Sequence, residues 1–234
     1  MRKFFPILLL IWSCAEQTHL ISVRNPEGQI LGKYPKETRW IGFPDTPIWN
    51  DLREFNQLEI LEINSKNLKS LEGIPNLPKL RYILLSGSSV RDLSSLNRFS
   101  KLDSLILNQT ELTDQDLEKY LYWDRLTRLE LTDSKISHLG FLGSGCSVRH
   151  LQLKRTKITD LKPLANCRNL MELYLGDTQV KDLSPLYRLT NLVHLQLDGS
   201  EVSAKEISDF RKIQPYVKIM PGLRKILDSE TGLD

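Results

Sequence analysis

His150, Glu172 and His194 follow one another at intervals of 22 residues. Imidazole and carboxylate are both good zinc ligands, and a regular interval brings such groups together if the chain repeats its course. A further strong ligand in the same column is missing. The favoured expectation is therefore a cross-strand charge ladder on a solvated face, with a metal site as the weaker alternative. Other candidates for chemistry fall away. The segment GSGCS, from Gly143 to Ser147, is glycine-rich but lacks the spacing of a nucleophile elbow. There is no P-loop, no G-x-G-x-x-G, no H-E-x-x-H and no C-x-x-C. With 4 histidines and no convergent motif, neither catalysis nor a cofactor is expected.

What would place the three residues side by side is a repeat. Leu61, Ile83, Leu105, Leu129, Leu151, Leu173 and Leu195 are spaced by 22 residues, with one interval of 24. Two positions later stand Ile63, Leu85, Leu107, Leu131, Leu153, Leu175 and Leu197, and a third aliphatic column runs from Leu68 to Val202. Alternation of period two makes each Leu-x-Leu a short strand with one buried face. One such strand cannot bury that face alone, whereas stacked copies can, each touching only its neighbours. The strands would form a parallel sheet with rungs about 4.8 Å apart. Pro163 and Pro185 lie in the returning segments, where they suit tight turns or 3₁₀ segments. Wider on the return side than on the sheet side, the stack must curve with its sheet concave.

This LxxLxLxxTxI pattern resembles the leucine-rich-repeat family, in its internalin-like 22-residue class, over roughly residues 40–220. The resemblance implies an α/β solenoid: a horseshoe with a concave parallel β-sheet, convex turns or 3₁₀ segments, and a cap at each end. One column departs from the family. Its usual Asn, which ties adjacent coils together, is replaced by Lys66, Ser88, Thr110, Ser134, Thr156, Thr178 and Ser200. The hydroxyls are expected to keep a thinner ladder between coils. The third repeat is two residues longer than its neighbours, and its return predicts a short convex helix. Thr113 would cap it, with Leu117, Tyr120 and Leu121 on one face.

Both ends of a stack expose core and sheet edge, so covers are expected. Residues 38–57 keep a degraded repeat, with Ile41 placed 22 before Ile63 and with Trp40, Phe43 and Trp49 to plug the core. Residues 58–202 hold seven repeats, 203–221 a C-terminal cap, and 222–234 a tail without pattern. The cap opens on a capping box from Ser203 to Glu206, carries Ile207, Phe210 and Ile213 on its apolar side, and ends in a strand from Val217 to Met220. Cys146 and Cys167 lie in neighbouring repeats. Cys167 shares a column with Leu77, Phe99 and Leu189 and reads first as a small core residue. A bridge between the two is the minority expectation, because their columns differ by one position.

The first residues, MRKFFPILLLIWSCAEQ, pair two basic residues with an apolar run from Phe4 to Trp12. The run falls short of the about 20 residues that span a bilayer, and reads as an export signal. Because it ends at Ser13-Cys14, it resembles a bacterial lipoprotein signal over residues 1–13. That resemblance implies acyl chains on Cys14 and anchorage at an outer membrane or cell surface; the alternative is ordinary secretion after a different cut, with a periplasmic or secreted product. Residues 14–37, polar and rich in Pro and Gly, are then expected to be a tether.

Loss of residues 1–13 removes two of the 32 basic residues and leaves 30 against 29 acidic ones. So even a balance argues against a nucleic-acid partner and against a polybasic hold on a membrane. Recognition falls to side chains pointing out of the concave strands. One column reads Ile60, Tyr82, Ser104, Arg128, His150, Glu172, His194; the next reads Glu62, Leu84, Ile106, Glu130, Gln152, Tyr174, Gln196. Contiguous Ile60, Tyr82, Leu84 and Ile106 mark a partner site, or lie under a segment of the chain itself. The expected anchors are Tyr82, Leu84, Ile106, Arg128 and Tyr174. By resemblance the role is non-enzymatic protein binding by a monomer, with a structural envelope scaffold as the alternative and an enzyme weakest.

Overall fold

A computed structural model describes residues 20–220. The described chain enters through an antiparallel hairpin, β1 (Leu20–Arg24) and β2 (Ile30–Pro35). Nine strands then pair in parallel, in chain order, as one sheet: β3 (Trp40–Phe43), β4 (Ile60–Ile63), β5 (Tyr82–Leu84), β6 (Ser104–Ile106), β7 (Arg128–Glu130), β8 (His150–Gln152), β9 (Glu172–Tyr174), β10 (His194–Gln196) and β11 (Lys218–Met220). The chain has the leucine-rich-repeat solenoid fold. Leu61, Ile83, Leu105, Leu129, Leu151, Leu173 and Leu195 pair rung to rung, and all are fully buried. The returns carry 3₁₀ turns, and Pro163 and Pro185 enter theirs in the first turn, where a missing N–H costs nothing.

Coils are tied to one another by backbone rather than by the hydroxyl ladder expected. Just past each of the six strands β5 to β10 one residue adopts positive φ: Gly87, Gln109, Asp133, Arg155, Asp177 and Gly199, at 53–71°. In that left-handed conformation the N–H of Gln109 donates to Thr132 O of the next coil at 2.7 Å, and Asp177 N–H donates to Asp198 O at 2.8 Å. Gly87, Asp133 and Arg155 repeat the bond. The hydroxyls stay within their own coil. Thr110 Oγ1 donates to Leu107 O at 2.8 Å, and Thr156 and Thr178 bond the carbonyl three residues back at 2.7 Å. They lock the left-handed turn and do not bridge coils.

The predicted convex helix is one turn, α1 (Asp114–Leu117), with Thr113 and Asp116 forming the capping box. Because the helix stops there, Leu121 does not reach the core and is 69% exposed. Trp123 fills the space instead, its Nε1 donating to Leu117 O at 3.2 Å and its ring edge-on to Tyr120 at 4.9 Å. Burial pushes the Tyr120 phenol up to about 12.

The N-terminal cover differs from expectation. Residues 20–35, placed within the tether 14–37, fold as the β1–β2 hairpin and seal the first coil. Ile21 and Val23 are buried, and Tyr34 packs edge-on to Phe43 at 5.9 Å and Phe55 at 6.3 Å. Arg24 grips Asp51 through two nitrogens, at 3.1 and 2.9 Å. Ile41 pairs with Leu61, and Phe43 with Ile63, so the first coil is two residues shorter than the pairing of Ile41 with Ile63 assumed. Trp40 consequently points out of the sheet, 57% exposed, and does not plug the core.

At the other end α2 (Ala204–Ile213) starts at Ser203, whose Oγ accepts from Glu206 N–H at 3.1 Å. The Glu206 carboxylate does not return to Ser203 as a capping box requires; it accepts the Leu183 N–H of the preceding coil at 2.9 Å. Phe210 is fully buried while Ile213 is 49% exposed. β11 supplies the last rung against β10. Cys146 and Cys167 form a disulfide, with Cα atoms 4.8 Å apart, and so both are core residues and a staple between coils.

Candidate partner-binding face

Parallel pairing in register turns the two outward columns into rows across the sheet. The first row runs Trp40, Ile60, Tyr82, Ser104, Arg128, His150, Glu172, His194, Lys218. The second runs Gly42, Glu62, Leu84, Ile106, Glu130, Gln152, Tyr174, Gln196, Met220. Ile60, Tyr82, Leu84 and Ile106 are half-buried and contiguous, and exposed Trp40 extends them by one rung. Ser104, counted as outward, is buried beside this patch, its Oγ donating to Asp103 Oδ1 at 2.9 Å. Trp40 was missed because the first coil was counted at 22 residues; the alternation Ile41-x-Phe43, which leaves Trp40 on the opposite face, was the available signal.

Beyond Ile106 the face becomes a polar network. Arg128 Nε donates to Glu130 Oε1 at 2.8 Å, and Asn108 Nδ2 donates to Glu130 Oε2 at 2.9 Å. His150 Nδ1 lies 2.8 Å from Glu172 Oε2, and since a carboxylate only accepts, that nitrogen carries the proton. Its Nε2 then offers a lone pair to Arg128 Nη2 at 3.4 Å. Tyr174 OH donates to Glu172 Oε2 at 3.0 Å, and His194 Nδ1 stands 3.9 Å from the other carboxylate oxygen. Partial burial pushes the Glu172 carboxyl up, but the bonds from His150 and Tyr174 outweigh it and leave it below its ordinary value. Burial, reinforced by the Glu172 carboxylate, raises the Tyr174 phenol.

This is a cross-strand ladder linking β7 to β10, with Glu172 as its hub. Both oxygens of Glu172 already face partners. Among the described residues no three His, Cys, Asp or Glu side chains converge as a metal ion requires. The face therefore joins an apolar half, able to bury area, to a polar half whose donors and acceptors are held in fixed orientation.

No protein-family model matches the sequence, and a comparison with curated proteins finds no match. Solved structures do match. Internalin C2 from Listeria monocytogenes is 24% identical with a TM-score of 0.60, covering 76% of this chain and 81% of that one. A second internalin of Listeria monocytogenes, inlF, is 20% identical with a TM-score of 0.56, over 74% of this chain and 57% of that one. At these identities the likeness speaks for the fold, and the leucine-rich-repeat solenoid of this chain is similar to that of the internalins.

Proposed function

We propose that the chain is an exported, lipid-anchored recognition module, without catalytic activity, that binds a protein on its concave face. The observation that carries this reading is the solvent-facing patch of Trp40, Ile60, Tyr82, Leu84 and Ile106, continuous with the Arg128–Glu172 network. Contiguous apolar side chains on a soluble surface are what an interface buries, and fixed polar groups beside them supply register. Export is supported by the Cys146–Cys167 bridge, of a kind characteristic of oxidising compartments, and by the apolar run ending at Ser13-Cys14. Cys14 lies outside the described residues. Its role rests on the sequence.

Two experiments test the reading. Pull-down with the mature chain identifies a partner, and calorimetry then compares variants. Tyr82→Ala or Arg128→Ala is expected to cost more than about 1 kcal/mol of affinity with the fold intact, since Tyr and Arg combine area with directed bonds. Lys181→Ala, whose exposed ammonium pairs with Glu201 at 3.1 Å, should change almost nothing. Equal affinities for all three variants would move the site off the concave face and favour an envelope scaffold. Separately, Cys14→Ala is expected to release the protein from the membrane fraction. A processed variant that still pellets with membranes removes the lipid anchor from the proposal.

A further inference from the structure

The even charge count conceals a segregation that the fold creates. All strands of the main sheet run the same way, so one rim gathers their N-terminal ends and the limbs that lead into them. On that rim Lys79, Arg81 and Lys101 line one depression with Glu59. Arg53 and Arg98 line a second, together with the segment Gly73 to Asn76. Glu59 is paired with Arg39 at 3.6 Å, and Arg81 is paired with Asp103. The other four cations have no carboxylate partner among the described residues. Lys79 donates to the Gln57 amide oxygen and Arg98 Nη1 to the Ile74 carbonyl at 2.9 Å, while Arg53 and Lys101 reach into solvent. Neutral acceptors hold the first two side chains in place and leave their charge uncompensated.

The hairpin locates this patch relative to the proposed anchor. Because the hairpin begins at Leu20, the six peptide units that separate it from Cys14 can reach at most about 20 Å. Arg24, four residues into the hairpin, is bonded to Asp51, two residues before Arg53. An acylated Cys14 would therefore hold the first coils, and the basic rim on them, beside the bilayer surface.

We infer that the rim formed by Arg53, Lys79, Arg98 and Lys101 is a docking surface for the phosphate headgroups of anionic lipids, fixing how the solenoid lies on its membrane. This rests on the lipid-anchor reading for its geometry, but its test does not need the acyl chain. Charge complementarity commits the surface to phosphate. Four guanidinium and ammonium groups spread over two depressions suit a layer of headgroups, each near-surface cation adding its own increment of attraction. Free phosphate ions lack that multivalency.

The test uses the full mature chain from Cys14 carrying Cys14→Ser, with vesicles of phosphatidylcholine alone or containing about a third phosphatidylglycerol. Expected is sedimentation with the anionic vesicles at low ionic strength, weakened by salt, and little with phosphatidylcholine alone. Arg53→Gln/Lys79→Gln/Arg98→Gln/Lys101→Gln should lower vesicle affinity at least about tenfold, with unfolding in urea unchanged. The charge-matched control Lys66→Gln/Lys69→Gln/Lys157→Gln/Lys162→Gln, altering exposed lysines away from this rim, should bind within about twofold of the parent chain. A parent chain that ignores anionic vesicles overturns the inference, and so does a control that loses as much as the rim variant. Inorganic phosphate that competes better than chloride at equal ionic strength overturns it too, by reassigning the cations to a small phosphate ligand. Failure on any of these counts leaves acylation of Cys14 standing, because membrane release of Cys14→Ala is measured independently.

Discussion

Leu173→Ala is expected to lower the free energy of unfolding by about 2–5 kcal/mol, and Leu151→Ala by a similar amount. Both side chains are fully buried, and each sits between identical neighbours, since Leu173 pairs with Leu151 on one side and Leu195 on the other. The transfer term alone would be smaller. The rest comes from the void, which the coil cannot close because its backbone is hydrogen-bonded to coils above and below. Leu175 N–H, for example, donates to Gln196 O at 2.9 Å, holding the strand at its rung spacing. The measurement is urea unfolding followed by circular dichroism, read as a shift in midpoint at constant slope. A loss under about 0.5 kcal/mol for both variants would mean that the column does not face the core.

The second large effect belongs to the disulfide. Cys146→Ala/Cys167→Ala is expected to cost about 3 kcal/mol, the loop-closure value for the 21-residue separation it spans, and to lower Tm by about 6–12 °C. Both sulfurs are buried in the core, so the variant also loses packing there. Reduction of the unmodified chain under denaturing conditions should reproduce the cross-link part of the loss without the packing part. If the alanine pair melts with the parent chain, the bridge contributes nothing beyond filling space. Nearest-neighbour coupling confines the effect at first to the coils carrying these residues, so hydrogen exchange should quicken there before it does at β4 or β5.

The stack and its inward column were readable because a two-residue alternation returning at a fixed interval admits one arrangement. What defeated reading was each place where the interval slips. The first coil is short by two residues, which turned Trp40 from plug to surface residue. The hairpin carried its own signal in Asn25-Pro26-Glu27-Gly28, a turn between apolar alternations in which Gly28 adopts a φ of 83°. Polar composition outweighed that signal and produced the expectation of a tether. Column counting separated Cys146 from Cys167 by one position, yet the return containing Gly143, at a φ of 60°, is not a copy of its neighbours. On the concave face, row membership followed from register, whereas the bonds joining Arg128, His150, Glu172 and Tyr174 depend on rotamers that periodicity does not encode.

The left-handed residue after strands β5 to β10 has a consequence for how such a chain ages in evolution. Because Gly87, Gln109, Asp133, Arg155 and Asp177 join coil to coil through the main chain, the bond survives exchange of the side chain attached to it. Selection then acts on a backbone conformation, which Gly, Gln, Asp and Arg all meet here, and only weakly on a letter. The signature asparagine becomes dispensable, and the written motif can erode while the pitch of the coil is kept.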